Sequence, residues 1–409
     1  MTKTQPWLWA AVPLVLLAAC DDTERLSGTN NNNTLGTPDS GVVEDAGTAD
    51  AGFEPDAGTQ PDDTIHTIDL GTHMTGSGGD TPPIGFELPA GATSFMVLLK
   101  GPDDVTFIVK TMQDPNGLML VTDDTTNVTQ VEQYLLGPFA AQFKSPNRVV
   151  QDVGLAAALF PNNPGVTVVP GSYSMVATGI TISGNQGFPY QGQVQASLLY
   201  RTREPAAGVL PVTLYFTGAA GITAASAPDD QYIQAAMTRL SEIYAQANLR
   251  IGEVAYVDVD ARFLTIDATG QDGLLEELFT QSAGSGPGLH YFFIDSFEGG
   301  FPGATIAGIS GGLPGPAGAV GSVNAGVAVS ITVPNGDSGI LAHVMAHEGG
   351  HWLGLFHTSE VIGTEDQMPD TPAGQAGENY LMYPAVGGGT TVTESQAAVM
   401  RRHMETIGE

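Results

Sequence analysis

The most informative segment of this chain reads HEGGHWLGLFH and runs from His347 to His357. We expect its first half to be helical, because Asp337 or Ser338 upstream can cap a helix and apolar residues follow at helical spacing. On that helix His347 and His351 would be four residues apart, on one face, and about 6 Å apart along the axis. Two imidazoles placed in this way can bind one zinc ion at about 2.0–2.1 Å.

The second half of the segment predicts a third ligand. Glycine is favoured just past a helix end, where positive φ is needed, so Gly354 predicts the end of the helix and a sharp turn. That turn can bring His357 back to the same ion, and three imidazoles leave one position open, as in catalytic zinc sites. Glu348 lies next to the first ligand, where it can hydrogen-bond a water and act as general base in attack on a carbonyl.

A downstream run, NYLMYP from Asn379 to Pro384, strengthens this interpretation. Together the two segments resemble the metzincin clan of zinc endopeptidases, with their long histidine motif and Met-turn. The resemblance extends from near Leu210 to the end of the chain. It implies one catalytic zinc ion, His347, His351 and His357 as its ligands, Glu348 as the base and Met382 as the Met-turn residue. The turn is similar to that of matrixins, whereas the spacing from His357 to Met382 is similar to pappalysin-type enzymes, so both subfamilies stay open.

Other residues near the motif have several interpretations. The span of helix from His343 through His347 to His351 would be too long for all three side chains to bind one ion, so we interpret His343 as a packing or hydrogen-bonding residue. Asp366 and Asp370 either bind calcium, line a specificity pocket for a basic side chain, or belong to a solvated loop. The resemblance also implies that the strand before the metal helix, at residues 327–333, is an exposed sheet edge to which an extended substrate adds.

Residues 205–409 alternate between strand and helix patterns, which predicts a twisted mixed sheet with helices packed on it. The resemblance implies that this part is an α+β metzincin-like domain with an active-site helix. The predicted strands lie at 210–216, 250–259, 290–295 and 327–333, and the predicted helices at 230–248, 271–281 and 392–404. The glycine-rich segment at 299–326 is expected to be a loop.

Residues 65–204 contain short β-type runs separated by turn residues and no helical period, which predicts an all-β sandwich. In outline this part is similar to the jelly-roll modules that accompany secreted bacterial peptidases. It contains no catalytic combination of residues. Substrate positioning, carbohydrate binding and a spacer role all stay open.

The N-terminal 64 residues predict targeting and tethering. Lys3 and an apolar run precede Leu17-Ala18-Ala19-Cys20, so residues 1–20 resemble a bacterial lipoprotein signal, in which Cys20 becomes the lipidated N-terminus. An ordinary secretory signal is the alternative. Residues 21–64 are acidic and poor in large apolar side chains, which predicts a disordered tether.

The composition limits the function classes. The chain of 409 residues has 13 Lys+Arg against 44 Asp+Glu and a formal net charge of −31, which excludes a nucleic-acid-binding surface. Its single cysteine permits no intrachain disulfide. Because that cysteine is the predicted lipid anchor, a propeptide cysteine switch of the matrixin type is also excluded.

The sequence therefore predicts a secreted, lipid-anchored zinc metalloendopeptidase of the bacterial cell envelope, on the outer membrane or periplasmic face, or extracellular. Its expected partners are a protein or peptide substrate, and the membrane through the N-terminal lipid only; oligomeric state is not predicted. The alternatives are a zinc hydrolase of a non-protein amide and a catalytically silent surface-binding lipoprotein.

Overall fold

The computed structural model describes residues 65–183, 186–270, 272–299, 305–360, 363–385 and 387–408. The predicted signal, with Cys20, and the predicted tether lie outside the described residues and stay predictions. Within the described part of the chain, no helix is long and apolar enough to cross a membrane.

The first part of the described chain forms two antiparallel sheets. One has the strand order β1-β10-β3-β7 and the other the order β2-β8-β4-β5, with β6 beside β4 and β9 beside β8. The ten strands are β1 (His66–Met74), β2 (Ile84–Leu88), β3 (Ser94–Lys100), β4 (Val105–Gln113), β5 (Met119–Val121), β6 (Asp152–Val153), β7 (Leu155–Phe160), β8 (Gly171–Ser183), β9 (Gln186–Pro189) and β10 (Gln193–Arg201).

Both sheets contribute alternate side chains to one hydrophobic core, in which Phe95 stacks on Phe160 with ring centroids 4.7 Å apart and contacts Tyr173 of the other sheet edge-on. The mostly β-sheet architecture agrees with the sequence. The jelly-roll topology and the boundary at residue 204 stay predictions.

The prediction that this region contains no helix is wrong. Two short helices, α1 (Gln130–Leu136) and α2 (Ala140–Phe143), follow β5. They are too short to show a helical period, but α1 begins at a capping box: Glu132 N–H donates to the Thr129 side chain, and Thr129 N–H donates to the Glu132 carboxylate.

The C-terminal half is built on a mixed sheet of order β12-β11-β14-β17-β16, with β18 paired to β11, and a separate small sheet of β13 and β15. The strands β11, β12, β14 and β17 are parallel, whereas β16 is antiparallel to β17. The elements are β11 (Gly208–Phe216), α3 (Gln231–Ala245), β12 (Leu249–Asp258), β13 (Thr265–Asp267), α4 (Leu274–Thr280), β14 (Leu289–Ile294), β15 (Ser296–Glu298), β16 (Gly308–Ser310), β17 (Val327–Ser330), α5 (Ser338–Trp352), α6 (Glu394–Arg402) and β18 (Ile407–Gly408).

The expected position of the sheet edge is wrong. The strand that precedes the metal helix, β17, lies between β14 and β16, and β16 lies at the end of the strand order. The strand β16 comes from the glycine-rich segment that was expected to be a loop. Its three residues are too few, and too rich in glycine, to give a strand pattern.

The β-rich part and the C-terminal half pack directly against each other. Met96, Ala157 and Leu159, from two strands of the first sheet, belong to the same hydrophobic cluster as the buried residues of α3, α5 and the mixed sheet. At the same boundary, the buried Arg201 guanidinium donates to the carbonyls of His403 and Thr406. Residues of the β-rich part can therefore reach the surroundings of α5.

Candidate metal centre

The helix α5 begins where the sequence predicts. Asp337 is its N-cap, and the Asp337 carboxylate accepts hydrogen bonds from the backbone N–H groups of Gly339 (2.8 Å) and Ile340 (3.2 Å). From Leu341 to Trp352 every residue is buried, so neighbours surround the helix on all sides.

This burial explains two glycines inside the helix, where glycine is normally unfavourable. A Cβ on Gly349 would overlap the hydroxyl oxygens of Tyr244 and Tyr291. The Tyr291 hydroxyl donates to the Met345 carbonyl at 2.9 Å, so it lies close against the helix backbone. A Cβ on Gly350 would come within 2.7 Å of Met382 Sδ.

The helix ends through Gly354, as predicted. Gly354 has φ of +104°, and backbone hydrogen bonds from Gly354 N–H to His351 O (2.8 Å) and from Leu355 N–H to Gly350 O (2.9 Å) close the last turn. The chain then reverses, which brings His357 back beside the helix face that carries His347 and His351.

The three histidines lie together. His357 Nε2 is 3.2 Å from His347 Nε2 and 3.1 Å from His351 Nε2, and all three side chains are buried. Nitrogen ligands at 2.0–2.1 Å in a tetrahedral arrangement would be about 3.3–3.4 Å apart, so these separations suit a single zinc ion. Among the described residues, they form the only group of three or more side chains of metal-binding type close enough to hold an ion.

The second nitrogen of each ring has its own acceptor. Nδ1 of His347 donates to the Leu381 carbonyl at 2.8 Å, Nδ1 of His351 to the Leu355 carbonyl at 2.7 Å, and Nδ1 of His357 to Glu360 Oε2 at 2.9 Å. A proton on each Nδ1 leaves the Nε2 lone pairs directed at one point, which is the tautomer that a metal needs.

The electrostatic environment keeps at least two of these rings neutral. Burial lowers the pKa of His347 and His351 well below the usual value, and repulsion from the neighbouring imidazoles lowers both further. Because the neutral imidazole is the ligand form, the donor set fits zinc.

Glu348 is fully buried beside this group, next to the edge strand of the mixed sheet. A Cβ on Gly308 of β16 would come within 2.5 Å of Glu348 Cγ. The missing side chain of Gly308 thus creates the space that Glu348 occupies. The carboxylate therefore lies between the helix and the edge strand.

Met382 and its neighbours form a turn under the helix. In addition to the contact of Leu381 with His347, the carbonyl of Met382 accepts a hydrogen bond from Thr358 N–H at 2.9 Å. The turn therefore contacts the segments on either side of the three rings.

The two aspartates downstream have protein partners. Asp366 Oδ1 accepts from Met368 N–H (3.1 Å) and from the Thr371 hydroxyl (2.5 Å), and burial raises the pKa of Asp366 to about 6. Asp370 Oδ2 accepts from Ser395 N–H at 2.9 Å, at the start of α6. Because neither belongs to a metal-binding group in the described part of the chain, calcium is not supported.

His343 lies one turn before His347 and outside the group of three, as its spacing predicts. Its ring centroid is 5.9 Å from that of His347, and burial lowers the pKa of His343 to about 4.

Sequence reasoning missed two residues near the centre, Glu360 and Arg148. The position of Glu360, three residues after the last histidine, is a signal that could have been used, because carboxylates commonly accept from the outer nitrogen of a metal-binding histidine. The Nη1 atom of Arg148 lies 3.9 Å from Glu360 Oε1, and no local pattern connects residues so far apart in the chain.

A family model matches part of the C-terminal half. Residues 219–395 match the family model Reprolysin_5, described as metallo-peptidase family M12.

Among solved structures, metalloproteinase-II from Bacteroides fragilis is similar, with 10% identity, 51% of this chain covered and a TM-score of 0.31; the match spans 62% of that protein. A family two carbohydrate esterase from Clostridium thermocellum is similar with 10% identity, 47% and 51% of the two chains covered and a TM-score of 0.14. These two scores are too low to support a structural argument. No curated protein matches the chain.

Proposed function

We propose that this chain, whose residues 219–395 form a metzincin-type metallopeptidase domain, is a zinc endopeptidase that hydrolyses peptide bonds in protein substrates. The observation that carries the proposal is the convergence of three buried imidazoles, each with its Nδ1 engaged elsewhere. His347, His351 and His357 would hold the ion. When bound, zinc would polarise a water molecule and the scissile carbonyl, which favours proton loss and attack.

Glu348 is the proposed general base, because its carboxylate follows directly after the first histidine and lies buried beside the edge strand. A buried carboxylate there can take a proton from the attacking water and pass it to the leaving amine. Met382 is the proposed Met-turn residue, a packing support below the three rings and not a ligand, since zinc prefers nitrogen and thiolate donors to a thioether.

The position of strand β16 (Gly308–Ser310) indicates how a substrate would be oriented. It lies at the end of the sheet order and next to Glu348. An extended peptide that pairs with this edge would present its carbonyl groups beside the base.

The location of the enzyme is proposed from the sequence. A lipid on Cys20 would hold the chain at the bacterial cell envelope, and the acidic segment at 21–64 would separate the anchor from the folded part. Mass spectrometry of the membrane fraction, with Cys20→Ser as the comparison, tests this part: release of the variant into the soluble fraction is expected.

Cleavage of casein by the purified zinc-loaded chain tests the activity. Glu348→Gln is expected to lower the cleavage rate by roughly 10²–10⁴-fold while one zinc ion per chain is retained, because it removes the base but no ligand. Glu242→Gln is the matched control, since Glu242 is exposed on α3 and pairs with Arg239. Equal loss in both variants, or a zinc-loaded parent that cleaves no peptide bond in casein or in a peptide library, would contradict the proposal.

A further inference from the structure

One arginine of the β-rich part extends to the candidate metal centre. Arg148 lies between α2 and β6, and its side chain is 4% exposed. Its guanidinium carbon lies 4.4 Å from the ring centroid of Phe143, in the same part, and 4.9 Å from that of Phe356, which immediately precedes His357. The two rings themselves meet edge-on, with centroids 5.7 Å apart, so the guanidinium packs against one aromatic ring from each half of the molecule.

The polar contacts of the Arg148 guanidinium lie on the C-terminal side. Its Nη2 donates to the Glu365 carbonyl at 2.7 Å, and its Nη1 is 3.9 Å from Glu360 Oε1. The other oxygen of that carboxylate, Oε2, accepts from His357 Nδ1 at 2.9 Å. Arg148, Glu360 and His357 therefore form a continuous chain of contacts from the β-rich part to a histidine of the group.

The charge balance explains why this series of contacts, from Arg148 through Glu360 to His357, matters. The Glu360 side chain is 2% exposed, and a buried carboxylate is costly unless a cation or several donors compensate for lost hydration. The histidine supplies one hydrogen bond. Among the described residues, Arg148 is the cationic side chain paired with Glu360, and its stacking and its bond to Glu365 fix its position.

We propose that Arg148 is a positioning residue for the metal centre: it holds the Glu360 carboxylate, which in turn orients the His357 ring. The β-rich part would then be a component of the metal site and not only a spacer. The inference rests on the proposed function, because it assumes that His357 binds the ion.

Zinc affinity of the full chain, measured by competition with a chromophoric chelator, tests the inference without relying on cleavage. Loss of a residue that supports a ligand typically lowers metal affinity 10–100-fold. We expect a loss in this range for Glu360→Gln and a loss of about tenfold for Arg148→Gln, with a changed visible spectrum of the cobalt-substituted protein. Because both act through His357, Arg148→Gln should add little in the Glu360→Gln background.

Arg201→Gln is the matched control. Arg201 is an equally buried arginine at the same boundary, but it bonds the carbonyls of His403 and Thr406. The Arg201→Gln substitution should lower the stability of the chain and leave its zinc affinity and cobalt spectrum unchanged. If Arg148→Gln does not fold, Arg148→Lys, which keeps the charge and loses the planar stacking, should give an intermediate affinity.

The outcomes separate the two proposals. Parental affinity in every Arg148 variant, or equal losses in the Arg148 and Arg201 variants, would overturn the positioning role alone. A parent chain that binds no zinc would overturn the proposed function itself.

Discussion

The sulfur of Met382 lies directly against the backbone of α5 at Gly350, so close that a Cβ on this glycine would come within 2.7 Å of Sδ. Met382 is fully buried, and the turn that carries it is bonded to Thr358 N–H and to the His347 ring. Glycine at 350 is therefore a packing requirement, and it sets the distance between the Met-containing turn and the helix that carries two of the three histidines.

Gly350→Ala should consequently destabilise the chain, although alanine is the better helix former by about 1 kcal/mol. Inserting a methyl group into a packed interior typically costs about 1–3 kcal/mol, which outweighs the propensity gain. Urea unfolding of the apo chain and zinc titration measure the two expected effects, a lower free energy of unfolding and weaker zinc binding. Gly286→Ala is the control, because nothing lies within 4 Å of its Cβ position and its φ is not positive. A Gly350→Ala variant as stable as the parent would show that Met382 moves aside freely.

The sequence predicted those parts of the metal centre whose causes are local. The cap at Asp337, the shared face of His347 and His351, and the positive φ of Gly354 all follow from rules that act within a few residues. These rules allow the three rings to come together, so the group of histidines could be predicted from the sequence.

What the sequence did not reveal depends on contacts between distant segments. Gly349 and Gly350 are explained by side chains from other elements that press against α5, and Arg148 reaches Glu360 across more than half of the chain. The strand β16 was missed for another reason: a three-residue strand that begins with glycine is defined by its partner β17 and not by its own pattern.

Gly308→Ala should reduce catalysis without affecting the metal. Its Cβ would lie 2.5 Å from Glu348 Cγ and 2.9 Å from a methyl group of Val344, so the proposed base must shift. Misplacement of a catalytic group by about 1 Å can cost 10²-fold in rate, and we expect a fall in kcat of tenfold or more. Zinc affinity should stay at the parental value because Glu348 is not a ligand. If kcat is unchanged while the variant is folded, Glu348 has more freedom than its burial indicates.

Removing zinc should destabilise the fold measurably. The Nε2 atom of His357 lies 3.1–3.2 Å from those of His351 and His347, and a bound cation would offset the repulsion between nitrogen lone pairs that point at one another. Zinc at 1,000 times its Kd would add about 4 kcal/mol to the free energy of unfolding. Thermal unfolding after chelation and after zinc is restored measures this difference.

His357→Ala should abolish most of that zinc-dependent shift in Tm, whereas His73→Ala, in β1 of the β-rich part, should keep all of it. An identical Tm with and without zinc would mean that the ion does not bind the folded state selectively.

Acid should destabilise the chain through buried neutral histidines outside the metal centre. Burial lowers the pKa of His403 to about 4, and its two nitrogens already have partners: Nε2 donates to the Gly315 carbonyl at 2.9 Å, and Nδ1 accepts from Glu405 N–H at 3.2 Å. A second proton would oppose the Glu405 donor. The unfolded chain takes up this proton near pH 6.5, so the stabilisation is complete above that pH and is lost as the pH falls towards about 4.

In this range each such histidine should steepen the loss of unfolding free energy by up to about 1.4 kcal/mol per pH unit. His403→Gln cannot titrate, so its slope in urea unfolding of the apo chain between pH 4 and pH 6.5 should be smaller by up to that amount. His290 provides an independent test, because burial lowers its pKa to about 4 as well, and it lies on β14, far along the chain from His403. The reductions in slope should add in the double variant, since the two rings contact different partners. Unchanged slopes in both single variants would contradict the prediction, because neither His403 nor His290 would then contribute to the acid sensitivity.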